Sequence, residues 1–227
     1  MSNIPKADDQ VDQWRSVMFL YDSALKKVNT KIEILNNEFV NRYSYNPIEH
    51  IKSRLKTADS IVKKLKKDGH EVTIENMLEY LSDIAGIRII CSFTSDIYQI
   101  AEMISNQADV TVLHVKDYIK YPKPNGYKSY HMVVTVPVYL SDGPIETKVE
   151  IQIRSVAMDF WASLEHKIAY KFEGNAPENL LKELKACADI VDMLDAKMFS
   201  LNQAITAIAE EQRRLEAQGR QTEEETV

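Results

Sequence analysis

Apolar residues near the start of the chain recur every seven positions between residues 12 and 40. The repeating positions form two interleaved series, Trp14, Tyr21, Val28 and Leu35, and Met18, Leu25, Ile32 and Phe39. Two series offset by four positions make a continuous apolar stripe along one side of a helix. We therefore expect one long helix here, whose aromatic side chains pack in the core of the protein.

The middle of the chain, residues 46–173, alternates short strand-like and helix-like segments. The expected strands cover residues 50–56, 86–93, 110–116, 129–137 and 147–154, and the expected helices cover 57–69, 74–84, 95–106 and 155–170. Turn-forming residues separate these segments, most densely in the motifs YPKPNGY and SDGP. A long helix followed by a mixed core and further helices predicts the α/β (α+β) class.

The last predicted helix covers residues 178–215 and carries its own seven-residue repeat. Its apolar series are Leu184, Val191, Met198 and Ile205, and Cys187, Leu194, Leu201 and Ile208. Such an a/d seam offers more apolar surface than a core of about 120 residues can cover. It predicts a homo-oligomer built through the terminal helices, although the two helices could instead pack only on their own chain.

The predicted organisation therefore has four parts. They are an N-terminal helix (1–45), a core (46–173), a C-terminal helical oligomerisation segment (174–216) and a tail (217–227). The tail is polar and acidic, and we expect it to be disordered.

Composition excludes several classes of protein. The net charge is −6 over 227 residues, which disfavours a general attraction to nucleic acid or to an anionic membrane. Cys91 and Cys187 are too few and too far apart for a disulfide framework or a zinc ribbon. The N-terminus lacks the apolar segment of a signal peptide, and no apolar run could span a membrane. We therefore expect a cytoplasmic protein without membrane or nucleic-acid partners.

Phosphate chemistry would have to rest on a local basic cluster, and residues 54–67, RLKTADSIVKKLKK, provide one with six basic side chains. If the helix begins at Thr57, Ser60 lies in its first turns, and Lys64 and Lys67 share one face. Helix N-terminal amides attract phosphate, and lysines one or two turns further can reach along a polyphosphate chain. A merely solvated amphipathic helix is the alternative.

Two carboxylates could bind a metal beside that cluster. Asp83 opens the motif DIAGIR, and Glu150 lies in the strand motif KVEIQIRS. In this strand apolar residues alternate with Glu150, Gln152 and Arg154, which share the other face. Because Mg²⁺ is held by one or two carboxylates plus substrate phosphates, Asp83 and Glu150 could share one ion. A turn residue and a solvated sheet face are the alternatives.

The loop KPNGYKSYH, residues 123–131, places an aromatic side chain on a polar turn. Its Pro-Asn-Gly sequence forms the turn that presents Tyr127. The ring could stack on a nucleobase, or it could fold back over the edge of the sheet. His131 would begin the next strand, where a histidine more often forms structural hydrogen bonds than acts in catalysis.

Together these motifs resemble the synthetase domain of the RelA/SpoT superfamily, specifically a single-domain small alarmone synthetase of the RelP type. The matching segments are R-x-K-x-x-x-S-x-x-x-K from Arg54 to Lys64, DIAGIR, YPKPNGYKSYH and VEIQIRS, in the family's order and spacing. The resemblance covers residues 46–173 strongly and the flanking helices more loosely. It implies a mixed β-sheet core like that of a nucleotidyltransferase, long N- and C-terminal helices, and a homotetramer.

The resemblance also implies a reaction and a role for each candidate residue. The family moves the β,γ-pyrophosphoryl group of ATP, with Mg²⁺, to the 3′-hydroxyl of GDP or GTP, which gives ppGpp or pppGpp and AMP. The residues resembling its ATP-binding set are Arg54, Lys56, Ser60, Lys64, Lys67 and Arg88. Those resembling its GDP- or GTP-binding set are Lys123, Asn125, Tyr127, His131 and Gln152. Asp83 and Glu150 resemble the catalytic acids and metal ligands, and Arg154 could orient Glu150.

Other functions stay open on the sequence alone. A non-catalytic sensor could keep the fold and bind guanine nucleotides, but it would not need both Asp83 and Glu150. An RNA-binding protein could use the basic cluster, but the negative net charge disfavours it. Hydrolysis of the alarmone is not expected, because none of the five histidines is followed by the aspartate of the family's hydrolase motif.

Overall fold

The computed structural model describes residues 7–43, 45–170 and 177–224. The strands are β1 (Ile48–Leu55), β2 (Ala85–Cys91), β3 (Thr111–Asp117), β4 (Tyr130–Leu140) and β5 (Gly143–Ser155). The helices are α1 (Ala7–Tyr43), α2 (Ala58–Lys67), α3 (Ile74–Tyr80), α4 (Thr94–Ser105), α5 (Val156–Tyr170) and α6 (Glu178–Glu224). Every strand and helix expected from the sequence is present; most ends shift by a few residues, and the end of α6 shifts further.

The five strands form one mixed sheet in the order β1-β2-β5-β4-β3. Strands β2 and β5 run parallel at its centre, and the other neighbours are antiparallel. The mixed sheet with long helices at both ends of the chain confirms the predicted fold class. The β4–β5 turn is tighter than the SDGP motif predicted, because Gly143 already pairs with Leu140 as part of β5. The backbone φ of Gly143 is +121°, a value that glycine adopts without strain.

The two faces of the sheet differ in composition because side chains alternate along each strand. On β5, Val149, Ile151 and Ile153 are fully buried in the main core beneath α1 and α4. The residues between them, beginning with Glu150, point to the opposite face. We call this opposite face the polar face. The alternation read from the sequence of β5 is thus confirmed. One face of the strand packs in the core, and the other carries the candidate site residues.

Helix α1 supplies one side of the main core. Tyr21, Leu25, Val28, Ile32 and Leu35 are all buried there, as the apolar stripe predicted. Although the sequence suggested a separate N-terminal part, this helix shares the hydrophobic core of the sheet. The boundary expected at residue 45 therefore does not separate two hydrophobic cores.

Helix α3 is shorter than the sequence predicted, ending at Tyr80 rather than at residue 84. Leu81 has an extended backbone and is fully buried. The helix therefore ends where the side chain of Leu81 packs in the core. Lys148 of β5 donates hydrogen bonds to the carbonyls of Leu78 and Glu79, which satisfies the exposed end of α3. Asp83 therefore lies in the turn before β2 and not at a helix end.

Helix α6 packs on the core through its first half and then continues past it. Ala188 and Asp195 are buried, whereas apolar residues further along, such as Ile205 and Ile208, are exposed. The helix extends to Glu224, so most of the segment expected to be a disordered tail is helical. The reason is local, since Glu, Gln, Arg and Ala dominate this segment and favour helix despite one glycine.

Candidate active site

A row of polar side chains crosses the polar face over all five strands. The register places these residues side by side: Lys52 on β1, Arg88 on β2, Gln152 on β5, His131 on β4 and Lys116 on β3. Residues from segments far apart in the sequence thus meet on one surface. Four of the five carry a basic group, which makes this surface suitable for anionic ligands.

A cleft opens on the polar face beside this row. Its lining consists of Lys52, Ser53, Arg54, Asp83, Gly86, Ile87, Arg88, Glu150 and Gln152. In the strand register Gly86 lies between Arg54 and Glu150. Because Gly86 has no side chain, the floor of the cleft stays open between the Arg54 guanidinium and the Glu150 carboxylate.

Asp83 is held in the cleft by two lysines. Its Oδ1 accepts a hydrogen bond from Lys64 Nζ at 2.8 Å, and its Oδ2 accepts one from Lys56. Burial raises the pKa of Asp83, but the hydrogen bonds and charges of Lys56 and Lys64 together outweigh burial, so the pKa lies below its ordinary value. Asp83 is therefore a charged carboxylate at neutral pH.

Glu150 is the second charged carboxylate of the cleft. Gln152 Nε2 donates a hydrogen bond to its Oε2 at 2.9 Å, and His131 Nδ1 lies 3.7 Å from its Oε1. Burial raises the pKa of Glu150 and Asp83 adds to this, but His131 and Gln152 outweigh both, so the pKa is lowered. An acid with a lowered pKa binds a cation readily and accepts a proton weakly.

Helix α2 begins as the sequence predicted, with Thr57 as its N-cap. The backbone amide of Ser60 donates to Thr57 Oγ1 at 3.3 Å, and the Ser60 hydroxyl lies 2.9 Å from the same oxygen. Ser60 and Lys67 are exposed. Of the residues expected to bind phosphate, the structure thus brings Lys56 and Lys64 onto Asp83 and leaves Ser60 and Lys67 facing solvent.

The two arginines expected to flank adenine both line the cleft, but in different environments. Arg54 is exposed on β1. Arg88 is half-buried, and its Nη1 donates to Asp159 Oδ1 at 3.3 Å. Arg88 Nε is buried without a hydrogen-bond partner among the residues that the structure describes, which leaves it a free donor for a ligand.

Tyr127 is half-buried on the loop between β3 and β4, and its hydroxyl is held from two sides. It lies 2.8 Å from His131 Nε2 and accepts a hydrogen bond from Arg154 Nη2 at 2.7 Å. The ammonium of Lys123 lies 4.8 Å from the centres of both the Tyr127 and the Tyr118 rings. The ring therefore folds back over the sheet, as one of the two sequence interpretations expected, and Lys123 covers part of it.

Asn125 shapes the same loop rather than reaching into the cleft. Its Oδ1 accepts a hydrogen bond from the Tyr127 amide at 3.2 Å, and its Nδ2 donates to Glu165 Oε1 at 3.2 Å. Gly126 has a φ of +90° and lies against α6, where an added Cβ would come within 2.5 Å of the Ala188 Cβ. The loop is thus fitted tightly onto α6.

Sequence reasoning missed several residues that organise this site. Asp159 and Glu165 of α5 contact Arg88 and Asn125 respectively, and neither was assigned to this site from the sequence. Acids are common in the first turn of any helix, so Asp159 gave no separate signal. Lys52 lies in the expected strand 50–56, but nothing in the sequence alone placed it beside Arg88.

The carboxylates fit a divalent metal only with help from a ligand. No group of three or more His, Cys, Asp or Glu side chains could hold a metal within the described parts of the chain. Asp83 and Glu150 both line the cleft and are both charged. Two carboxylates completed by phosphate oxygens are the donor set that Mg²⁺ commonly takes in nucleotide enzymes. The residues present therefore fit a metal that arrives with a polyphosphate.

None of the helices in the described ranges combines the length and the apolar character needed to cross a lipid bilayer.

Comparison with known proteins places this cleft in a family. Residues 53–175 match the region found in RelA and SpoT proteins. The chain is 46% identical, over 86% of its own length and 93% of the relative's, to the GTP pyrophosphokinase YwaC of Bacillus subtilis. It also superimposes on the crystal structure of small alarmone synthetase 2 from B. subtilis, with a TM-score of 0.77, 45% identity, and coverage of 85% of this chain and 99% of that one.

A second solved structure is similar and contains a nucleotide. Small alarmone synthetase 1 of B. subtilis, bound to its product pppGpp, has a TM-score of 0.77 and 34% identity, covering 85% of this chain and 97% of that one. The matched region contains all four motifs of the cleft. The chain therefore belongs to the RelA/SpoT family.

Proposed function

We propose that the chain is a GTP pyrophosphokinase that transfers the β,γ-pyrophosphoryl group of ATP to the 3′-hydroxyl of GDP or GTP. The observation that carries the proposal is the pair of charged carboxylates, Asp83 and Glu150, in one cleft with basic side chains along its walls. Similar B. subtilis enzymes are called GTP pyrophosphokinases, and small alarmone synthetase 1 has been solved with pppGpp and with AMPCPP.

The donor half of the cleft, on β1, α2 and β2, would bind ATP. Arg54 and Arg88 are proposed to flank the adenine, and the phosphates are proposed to bind Lys56, Ser60, Lys64 and Lys67. Since Lys56 and Lys64 now contact Asp83, they would turn to the phosphates when ATP binds. Asp83 would then be released for the metal that accompanies the nucleotide.

Asp83 and Glu150 are proposed to hold Mg²⁺, which would neutralise charge on the phosphates of the transferred group. The lowered pKa of each acid suits this role, because both are ionised without a metal. The residues themselves hold the two nucleotides in line, and this positioning accounts for most of the catalysis expected in such transfers.

The acceptor half, formed by β4, β5 and the loop before β4, would bind GDP or GTP. Tyr127 is proposed to contact the guanine, with Lys123, Asn125, His131 and Gln152 around the nucleotide. The 3′-oxygen would form a bond to the β-phosphorus of ATP while the bond from that phosphorus to the α,β-bridging oxygen breaks. AMP leaves, and the 3′-hydroxyl proton passes to Glu150 or to solvent.

Two further features belong to this proposal. The chain is expected to make the alarmone without hydrolysing it, since no histidine in the sequence is followed by aspartate. Purified protein with Mn²⁺ and ppGpp should therefore release no pyrophosphate. A cytoplasmic setting is also proposed, because ATP and guanine nucleotides are its substrates.

We also propose a homotetramer assembled through the terminal helices. Large apolar side chains exposed along the described part of α6 include Leu181, Ile190, Met193, Leu194, Met198, Leu201, Ile205 and Ile208. Light scattering at micromolar concentration should report an assembly for the full chain and a smaller species for the double variant Ile205→Asp, Ile208→Asp. Both side chains are exposed on the single chain, so folding should persist. A wild-type monomer would contradict the assembly.

The decisive experiment for the activity is incubation with ATP, GDP and Mg²⁺ followed by chromatography. AMP and ppGpp should appear in equal amounts, and omission of GDP should abolish both. Asp12→Asn, which removes an exposed acid of α1, is the matched control and should keep wild-type turnover. Binding of GDP without any AMP release would instead show a nucleotide sensor.

A further inference from the structure

Asp159 lies in the first turn of α5 and reaches the polar face of the sheet. Its side chain is only 17% exposed, and one oxygen, Oδ1, accepts hydrogen bonds from two arginines. Arg88 Nη1 donates at 3.3 Å from β2, and Arg154 Nη1 donates at 3.0 Å from β5. A single carboxylate oxygen thus joins two guanidinium groups on neighbouring strands.

Arg154 is the more buried of the two arginines, with 6% of its side chain exposed. Its Nη2 donates to the Tyr127 hydroxyl at 2.7 Å and to Gln152 Oε1 at 3.2 Å. Its Nε donates a longer bond to Ser129 Oγ at 3.4 Å. Every nitrogen of the group therefore has a partner, so the orientation of the guanidinium plane depends on all of these groups together.

These contacts form a continuous chain from the cleft to the neighbouring loop before β4, which together make up the proposed donor and acceptor halves of the site. On the donor side stands Arg88, and on the acceptor side stands Tyr127, with Asp159 and Arg154 between them. A branch through Gln152 reaches the Glu150 carboxylate at 2.9 Å. The acceptor residue, the donor residue and a catalytic acid therefore share one network.

The charges in this network depend on Asp159. Two guanidinium groups lie close together in a half-buried place, and Asp159 is the acid that contacts both. Burial and the charge of Arg154 lower the pKa of Arg88, whereas Asp159 acts in the opposite direction. Without the carboxylate, Arg88 and Arg154 would repel each other in a region of low dielectric constant and would separate.

We propose that Asp159 and Arg154 are positioning residues that couple the two nucleotide subsites. This inference rests on the proposed function. A nucleotide that orders Arg88 also fixes Asp159 and Arg154, and so fixes Tyr127 for the second nucleotide. Either substrate therefore strengthens binding of the other, and the strengthening is reciprocal. Neither residue needs to contact the reacting atoms.

A purely structural role would give a different result. Helix α5 is also anchored by the Ser155 hydroxyl, which accepts from the Met158 amide at 3.2 Å, and by Trp161, which donates to the Leu184 carbonyl at 3.0 Å. If Asp159 only held α5 on the sheet, its loss would lower stability and would not alter the dependence of one nucleotide on the other.

The test is calorimetric binding of GDP and of the non-hydrolysable analogue AMPCPP, each measured alone and with the other saturating. In the wild type, bound AMPCPP should tighten GDP at least about fivefold. Asp159→Asn should weaken each nucleotide about tenfold and abolish the mutual tightening, because a neutral amide oxygen accepts weaker hydrogen bonds from the two arginines than a carboxylate does. Asp12→Asn removes an exposed acid and should match the wild type.

Arg154→Lys separates the two halves of the inference. A lysine keeps the charge beside Asp159 but cannot also reach Tyr127 and Gln152 in a planar arrangement. It should weaken GDP about tenfold, leave AMPCPP within about twofold, and abolish the mutual tightening. This variant also decides the question if thermal melting shows that Asp159→Asn does not fold.

Mutual tightening that survives in Arg154→Lys overturns the inference, as does a folded Asp159→Asn protein that loses AMPCPP affinity alone. AMP release by the wild type separates these outcomes from failure of the proposed function. If the wild type releases AMP and the variants keep their coupling, the inference alone is wrong. If the wild type binds neither nucleotide, the proposed function falls and the inference falls with it.

Discussion

The donor and acceptor halves of the cleft differ in how much of their binding surface is already in place. In the donor half, Lys56 and Lys64 contact Asp83, while Arg54 and Lys67 face solvent. Long basic side chains lose rotamer freedom when a ligand orders them, and this loss opposes binding. The donor half must therefore exchange partners before it can hold a polyphosphate.

The acceptor half has more of its contacts in place before any ligand arrives, although Arg88, at the far end of its hydrogen-bond network, still has an unpaired Nε among the described residues. Tyr127 is held by Arg154 and His131, and its loop rests on α6 at Gly126. Pre-organised sites bind with less ordering on association. The proposed function accounts for this difference, because a nucleotide that brings a metal could be bound by cations that change partners, whereas an acceptor hydroxyl would have to be held in line.

The largest effect is expected where the halves meet. Asp83→Asn and Glu150→Gln should each lower AMP release by roughly 10²–10⁴-fold, because both carboxylates act on charge that develops during transfer. Their effects on binding should differ. Asp83→Asn frees Lys56 and Lys64, so AMPCPP measured without Mg²⁺ should bind as well as or better than to the wild type.

Glu150→Gln has no such lysines to release, so its metal-free AMPCPP affinity should stay at the wild-type value. Calorimetry with EDTA distinguishes the two variants, and chromatography of AMP gives the turnover. Near-normal turnover by either folded variant would remove that acid from the mechanism. Weaker metal-free AMPCPP binding by Asp83→Asn would contradict the exchange of partners in the donor half.

The next effect concerns the fit of the acceptor loop on α6. In Gly126→Ala the new methyl group would come within 2.5 Å of the Ala188 Cβ, at a φ of +90°. The loop must shift, since an added methyl group in a packed contact typically costs about 1–3 kcal/mol of stability. Tyr127 moves with the loop, so GDP affinity should fall by about tenfold, as expected when a stack on the ring is weakened. AMPCPP binding should change little, because the residues proposed to bind ATP lie on β1, α2, β2 and the segment between β1 and α2 and not on this loop.

Gly69→Ala is the matched control for that variant. Gly69 has a similar φ of +83°, but an added Cβ would meet nothing within 4 Å. Both variants therefore carry the same backbone strain, and only one carries the clash. Equal GDP affinities for the two, measured by calorimetry, would show that contact with α6 does not shape the acceptor loop.

A smaller effect is expected at the aromatic ring itself. Tyr127→Ala should weaken GDP by about 1–3 kcal/mol, the usual value of a stack between a base and an aromatic ring. A stacking role alone would make Tyr127→Phe mild. The hydroxyl, however, accepts a hydrogen bond from the buried Arg154, so Phe should lose part of that affinity as well. Identical GDP affinities for the Ala and Phe variants would rule out the ring face as a platform.

Much of the fold could be predicted because it depends on local patterns. The alternation in KVEIQIRS separates a core face from a polar face, and the repeat in α1 gives its buried stripe. Thr57 is a helix cap for a reason carried by its own side chain. These features need no knowledge of what lies across the molecule.

The connections across the site could not be predicted in the same way. Asp159 contacts Arg88 across 71 positions of sequence, and Asn125 contacts Glu165 across 40. Such pairs depend on strand order, and the parallel pairing of β2 with β5 leaves no local trace in the sequence. The early end of α3 likewise follows from burial of Leu81, which propensity alone does not show.

The smallest effect on nucleotide binding should come from the ion pairs between α1 and the segment before β3. Lys27 and Lys31 of α1 form ion pairs with Asp109, next to β3, and these pairs lower its pKa to about 2 from 3.8. The lowered pKa means that the pairs stabilise the fold above about pH 4 and lose that contribution as the pH falls towards 2. Asp109→Asn should lower stability by about 0.5–1 kcal/mol near neutral pH, since the pairs are partly exposed. Urea unfolding should show this difference shrinking at about pH 3, where part of the contribution is gone. GDP and AMPCPP affinities should both stay at wild-type values, and a loss confined to one nucleotide would tie these ion pairs to one half of the cleft.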